Sequence, residues 1–261
     1  WYVRSVQVSG YHRTKAEKES RDQLSQISFG GNISYENRGW RLGMNAVAVH
    51  FSLPFRKQED PYDRFAFEGD RNLNMSADVG YTWKNMHWFS EIAMDAGFNR
   101  AMIAGCLVSL DRKIDLSALW RNIPASFQSI AGNAFTESAS PWNEKGLYLG
   151  LSIRPRTDLK LDLYADGFSS SWLRYRIHAP SSGMEFFFQL TYSPDKLTEI
   201  YGRCRFGRKQ MNQGEGNYYS VLMIPKENYR LHVSRKIDQA FSRSEEHTSE
   251  LQSRQYLVCR L

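Results

Sequence analysis

Long hydrophobic runs are what this 261-residue chain most lacks. The longest, Ala101 to Val108, falls far short of the roughly 20 apolar residues that a helical bilayer span needs, so no helix is expected to cross a membrane. Cysteine is scarce. Cys106, Cys204 and Cys259 show no CxxC spacing and no neighbouring His pattern, so neither a zinc site nor a disulfide framework is supported. His12, His50, His87, His178 and His232 are scattered, with no HExxH and no helical i, i+4 pair, so no metal or other cofactor is expected. Walker, dinucleotide and EF-hand patterns are missing, and NQGEGN at 212–217 reads as a hairpin loop. No charged stretch and apolar core follow Trp1, so no signal peptide is visible and the N-terminus reads as the middle of a longer protein. The net charge of +6 permits an anionic partner without singling one out.

What the chain has is aromatics and a period of two. Aromatic residues make up 14% of it, while mean hydropathy is −0.55. That combination suits many half-apolar strands. Met75, Ala77, Val79, Tyr81 and Trp83 alternate with Ser76, Asp78, Gly80 and Thr82, and after a short turn Trp88, Ile92 and Met94 alternate with Phe89, Glu91 and Asp95. Leu147 to Ile153, Leu159 to Ala165 and Phe186 to Tyr192 repeat the pattern. Further strands are expected at 1–9, 28–37, 39–52, 64–69, 100–110, 113–121, 171–179, 197–208, 217–225 and 228–237, about fifteen in all. HRTKAEKESRDQLS and IPASFQSIAGNAFTESAS have room for a turn or two of helix.

Strand length separates the candidate folds. A soluble sandwich uses strands of about 5–6 residues, whereas a strand of about 9–11 residues tilted by about 45° spans the apolar height of an outer-membrane barrel. The expected fold is therefore all-β, an incomplete antiparallel up-and-down transmembrane barrel of about 12–16 strands, with a soluble sandwich as the alternative. Asp78, Glu91, Asp95, Lys160, Asp162, Asp166, Glu185, Arg203 and Arg205 are the charged residues expected to face the lumen. Tyr81, Trp83, Trp88, Trp120 and Tyr192 are expected to form interfacial aromatic girdles. Loop lengths read from the sequence do not alternate between long and short, which leaves both ends unassigned.

SFGGNISYENRGWRLGMNAV, DPYDRFAFEG, NAFTESASPWNEKGLYLGL and FSSSWLRYRIHAPSSGMEFFFQLTYSP resemble the C-terminal β-barrel region of large bacterial envelope proteins of the helix-hairpin-helix domain-containing type. The resemblance runs from Gly30 to about Asn212. It implies an outer-membrane location, lipid as the immediate partner, and a missing N-terminal region whose helix-hairpin-helix modules would touch DNA. Those modules are absent from these residues, so DNA binding is not carried over to them, and the oligomeric state stays open.

Chemistry is sparse. Outer-membrane phospholipases place Ser and His on adjacent barrel strands, and Ser220, Ser234 and His232 are the residues of that sort here, but no GxSxG elbow accompanies them. The expectation is a non-enzymatic barrel with no catalytic residues, a lipid hydrolase being the alternative. Arg203, Arg205, Arg208, Lys209, Arg230, Arg235 and Lys236 could build a cationic wall, although cross-strand pairing that fills a narrow barrel is the simpler reading. The last nineteen residues, RSEEHTSELQSRQYLVCRL, neither keep the alternation nor make a helix face. They resemble the conceptual translation of a sequencing adapter, so the expected organisation is a barrel fragment over 1–242 and a non-native tail over 243–261.

Overall fold

The computed structural model describes the chain except residues 5, 7–10, 12, 58, 139–140, 214–219, 239–240, 253–257 and 261; of 213, 220, 237–238, 241–252 and 258–260 it describes the backbone alone. One sheet holds thirteen antiparallel strands in sequence order. They are β1 (Gln26–Asn37), β2 (Trp40–Phe55), β3 (Gly69–Trp83), β4 (Met86–Asp95), β5 (Arg100–Asp111), β6 (Ile114–Ile123), β7 (Glu144–Arg156), β8 (Leu159–Ser170), β9 (Ser181–Tyr192), β10 (Thr198–Gln213), β11 (Ser220–Asp238), β12 (Phe241–Gln252) and β13 (Val258–Arg260). No pairing joins β1 to β13 among the described residues. This is the up-and-down order of an incomplete barrel. The sandwich alternative fails because there is a single sheet. One helix, α1 (Lys15–Glu19), precedes it, held by a capping box between Thr14 and Glu17. No helix among the described residues is long and apolar enough to cross a membrane.

Several expected strands are corrected. Of 1–9 only an isolated bridge from Val3 to Phe55 is described. Residues 64–68 stay in the β2–β3 loop, and only Gly69 joins β3, because Phe67 turns onto Phe51 and Phe55, with ring centroids 6.2 and 5.8 Å away. Residues 171–179 form a loop, where Trp172 meets Phe65 edge to face. Of the expected pair 217–225 and 228–237, residues 217–219 lie outside the described residues and the rest is one strand, β11, in which Pro225 is no turn. That proline pairs in register with Arg208 of β10, one residue before the first described pairing to β12 at Lys226. The β6–β7 loop contains no helix among its described residues.

Register fixes two faces. Asn32, Asn45, Ser76, Ala93 and Ala101 fall in one phase, and Ile33, Met44, Ala77, Ile92 and Met102 in the other. The second phase is mostly apolar, and one cross-strand row of it is apolar throughout, running Trp40, Tyr81, Trp88, Cys106, Ala118, Leu149, Ala165 and Phe186. Nothing among the described residues is layered on it. Ile33 is 79% exposed and Met44 69%. The buried hydrophobic cluster lies on the other face, and it is small: Ala101, Ile123 and Phe127, with Ala93 and Ala134 against them.

The same row measures the stagger. It starts at Trp40, the first residue of β2, and after seven strand-to-strand steps meets Phe186, six residues short of Tyr192 at the end of β9. Six residues at roughly 3.3 Å over seven spacings of roughly 4.8 Å give a strand tilt of about 30°. A sheet sheared this way can coil towards closure.

The connections alternate cleanly, against the expectation from sequence. Two-residue turns at 38–39, 84–85, 112–113 and 157–158, and the short 193–197 turn, lie at one end. The connections at 56–68, 96–99, 124–143 and 171–180 lie at the other, and all but 96–99 are long. At the first turn Arg38 and Gly39 both have positive φ, 45° and 89°, which matches the strand twist of a tight hairpin. A Cβ on Gly39 would also lie 2.6 Å from the Thr82 carbonyl oxygen, so glycine is required there.

At the β9–β10 turn the Asp195 carboxylate accepts hydrogen bonds from the Leu197 and Thr198 amides, both at 2.7 Å. These bonds, the one from Leu197 foremost, hold its pKa below the ordinary carboxylate value. A depressed folded pKa contributes stability that is present above the unfolded pKa and lost as pH falls through the folded one. Amide exchange at Leu197 and Thr198 is therefore expected to become less protected below about pH 4, and the pH dependence should vanish in Asp195→Asn.

β12 continues the pairing but not the pattern. By register Glu245 stands opposite Val233 and His247 opposite Leu231, both in the apolar phase.

Candidate functional site

The polar face is covered by the long loops, and that is where the charged residues meet. Arg121 on β6 is wholly buried. Its Nε donates to Glu144 Oε1 at 2.7 Å. Its two terminal nitrogens donate to both oxygens of Asp166, at 2.9 and 3.0 Å. Glu144 opens β7 and is itself 0% exposed; its second oxygen accepts from Arg174 of the β8–β9 loop at 3.2 Å. The Glu137 amide, in the β6–β7 loop, donates to the same carboxylate at 3.0 and 3.2 Å. Gly146 makes the network sterically possible. A Cβ there would sit 2.5 Å from the Arg121 guanidinium carbon.

The network fastens the β6–β7 loop over the sheet. Towards β3 and β4, Asn74 donates to the Gln128 carbonyl at 2.8 Å, and the Gln128 amide donates to Asp95 at 3.0 Å. Gln128 also donates through its side chain to the carbonyls of Phe65 and Ala66, tying in the β2–β3 loop. Towards β10, Glu137 pairs with Lys209. Asn143 exchanges two bonds with Trp172, whose indole N–H donates to the Pro61 carbonyl at 3.0 Å. Three loops thus lock together across the polar face. Beside the β6–β7 loop lies a cavity of about 380 Å³, walled by Asn45, Asn74, Glu91, Ala101 and Phe127 among others.

All nine charged residues expected in the lumen lie in the polar phase, because each pairs in register with the others or with Arg121's row. Their partners are mixed. Asp166 belongs to the buried network; Lys160 pairs with Asp162 at 2.8 Å and Arg205 with Glu185 at 3.5 Å. Glu185 also accepts from the Tyr164 hydroxyl at 2.5 Å. Asp78 accepts from Asn45 at 3.1 Å, Asp95 holds the Asn99 amide at 2.9 Å, and Arg203 donates to Gln189 at 2.8 Å. Glu91 is exposed, in the cavity wall. Of the cationic-wall residues, Lys209 and Arg230 share the polar phase, whereas Arg208 and Arg235 fall in the apolar one. Lys236, opposite Ser242 just before the bulge of β11, also keeps the polar phase.

The five girdle residues all lie in the apolar phase. Tyr81, Trp83, Trp88 and Tyr192 stand at the short-turn end, where Tyr81 stacks on Trp40 with centroids 4.3 Å apart. Trp120 stands towards the long-loop end, three residues before the close of β6.

The hydrolase residues do not assemble. Ser220 and His232 are twelve residues apart on one strand, about 40 Å at strand rise. His232 stacks on Tyr201 with centroids 4.8 Å apart, and its register partner leaves Ser234 beside Glu199. Among the described residues no group of three or more His, Cys, Asp or Glu is placed to hold a metal ion.

Sequence reasoning missed Arg121, Glu144 and Arg174. The available signal was Arg121 itself, in the phase of Asp115 and Ser117 within an otherwise apolar strand. In comparisons with known proteins, no protein-family model and no curated sequence matches this chain.

Proposed function

We propose that the chain is the membrane-embedded barrel wall of a bacterial outer-membrane protein, non-enzymatic, acting as an anchor whose lumen is constricted by its own loops. One observation carries this: a broad, mostly apolar face with nothing among the described residues layered on it, opposite a loop-covered face that holds most of the charges. Soluble proteins rarely leave a contiguous apolar patch beyond a few hundred Å² uncovered, whereas a bilayer covers such a face without any protein layer. The short-turn end is the periplasmic one and the long-loop end faces outward, following the usual asymmetry of these barrels. The locked loops favour an anchor over an open conduit.

The wider reading includes a preceding helix-hairpin-helix region, through which alone DNA would be handled, and a non-native origin for Arg243 to Leu261. The break in alternation at Glu245 and His247 supports the latter.

The test is electrophoretic. Unheated protein in mild detergent is expected to migrate as a compact band that shifts on boiling, and to fractionate with outer membranes. A stable monomer in detergent-free buffer would overturn the proposal.

A further inference from the structure

Resting on the membrane reading, we propose that the apolar face carries a docking collar for anionic lipid headgroups at its long-loop end, built from Arg100, Lys145 and Arg208, with Arg71 beside them. In the body of the strands, away from the turns, charge on this face is sparse and one-sided. Among the strands up to β11, whose side chains are described there, Glu227 is the acid, and it accepts from the Tyr229 hydroxyl at 3.0 Å. The cations gather near the long loops: Arg71 is two residues into β3, Arg100 opens β5, Lys145 is the second residue of β7, and Arg208 faces Met184 near the start of β9.

All four are exposed. Arg71 shares Asp70 with His50 at 3.9 Å, a distance that leaves its guanidinium largely unused. Arg100, Lys145 and Arg208 form no ion pair with any described residue. By contrast, several cations at or near the short turns are engaged: Arg154 with Asp115 at 2.8 Å, Arg156 with Asp158 at 2.6 Å, and Lys113 with the Pro155 carbonyl at 3.1 Å.

Position completes the argument. Below the collar the face is apolar; Leu73, Met102, Leu147 and Phe206 are the next outward residues along the same strands. A cation one step beyond such a band stands at headgroup depth, with its aliphatic stem along the acyl boundary and its donors among phosphates. Charge complementarity thus selects phosphate-bearing lipid, and the adjoining apolar face selects lipid over free phosphate.

The experiment compares wild type with the triple variant Arg100→Gln/Lys145→Gln/Arg208→Gln. Both are inserted into vesicles of phosphatidylcholine alone, and of phosphatidylcholine with phosphatidylglycerol, and then extracted in mild detergent. Co-purifying phosphatidylglycerol is quantified by mass spectrometry, with inorganic phosphate added as competitor in a parallel arm. Wild type is expected to retain the anionic lipid, by roughly fivefold per charge over the variant, less at high salt, and inorganic phosphate should not displace it. Equal retention by the two inserted proteins overturns the collar, as does displacement by phosphate. If neither protein inserts into either vesicle, the membrane reading itself falls and the collar with it. Equal heat-modifiable migration of the two proteins shows that the variant is folded.

Discussion

Arg121→Ala is expected to destabilise the folded sheet by about 3–5 kcal/mol, the cost of removing one partner from a buried ion network and leaving the others uncompensated. Arg121 serves two carboxylates at once, Glu144 at 2.7 Å and Asp166 through a two-pronged contact, and Glu144 has no exposure to water. Denaturant unfolding of the reconstituted protein, followed by tryptophan fluorescence, reads the change. Arg121→Lys keeps the charge but loses the planar fork, so it should fall between wild type and alanine. Gly146→Ala attacks the same network from the other side, since its Cβ would sit 2.5 Å from the guanidinium carbon. About 1–3 kcal/mol is expected from that overpacking. In an Arg121→Ala background the new methyl has room, so its cost should nearly disappear and the pair should be strongly non-additive. Additive costs would mean that Gly146 and Arg121 do not share a site. An unchanged midpoint for Arg121→Ala would mean that the network does not hold the loops.

The fold was legible because the strand period is exact and local. Whether Met75 and Tyr81 share a face depends only on counting by two, and neither loop nor partner strand can change it. The phase of every charged residue in β3, β4, β8, β9 and β10 could therefore be read without a register. What could not be read depended on contacts distant in sequence. FSSSWLRYRIHAP alternates as well as many strands do, yet Trp172 and Tyr175 are taken up by Phe65 and Tyr62 of another loop, and the segment folds as a cap. Arg121 and Asp166 are forty-five residues apart in sequence and meet only through two strand registers. A sequence pattern shows that each faces the same way, not that they touch. The alternation of short turns with longer connections was hidden for a related reason. Two misassigned strands, at 64–69 and 171–179, had consumed loop residues, and one false turn at Pro225 had split β11.

Placing arginine at the centre of the apolar face separates the bilayer from water as the medium that covers it. Phe186 is midway along β9, pairs with Ala165 and Phe206 in the apolar phase, and is 49% exposed. In a bilayer Phe186→Arg carries a guanidinium to the middle of the hydrocarbon and is expected to cost about 2–4 kcal/mol. On a water-covered surface the same change at a half-exposed site would stay within about 0.5 kcal/mol. Ser169→Arg provides the depth control. Ser169 is exposed in the same phase as Leu163 but lies one residue from the long-loop end of β8. There the side chain reaches headgroups and water, so the cost should fall to about 0–1 kcal/mol. A steep difference between the two, measured by unfolding from vesicles, is what a lipid-covered face requires. Equal and small costs would mean that the face is wetted, and the apolar rows from Trp40 to Phe186 would then need a protein layer to cover them.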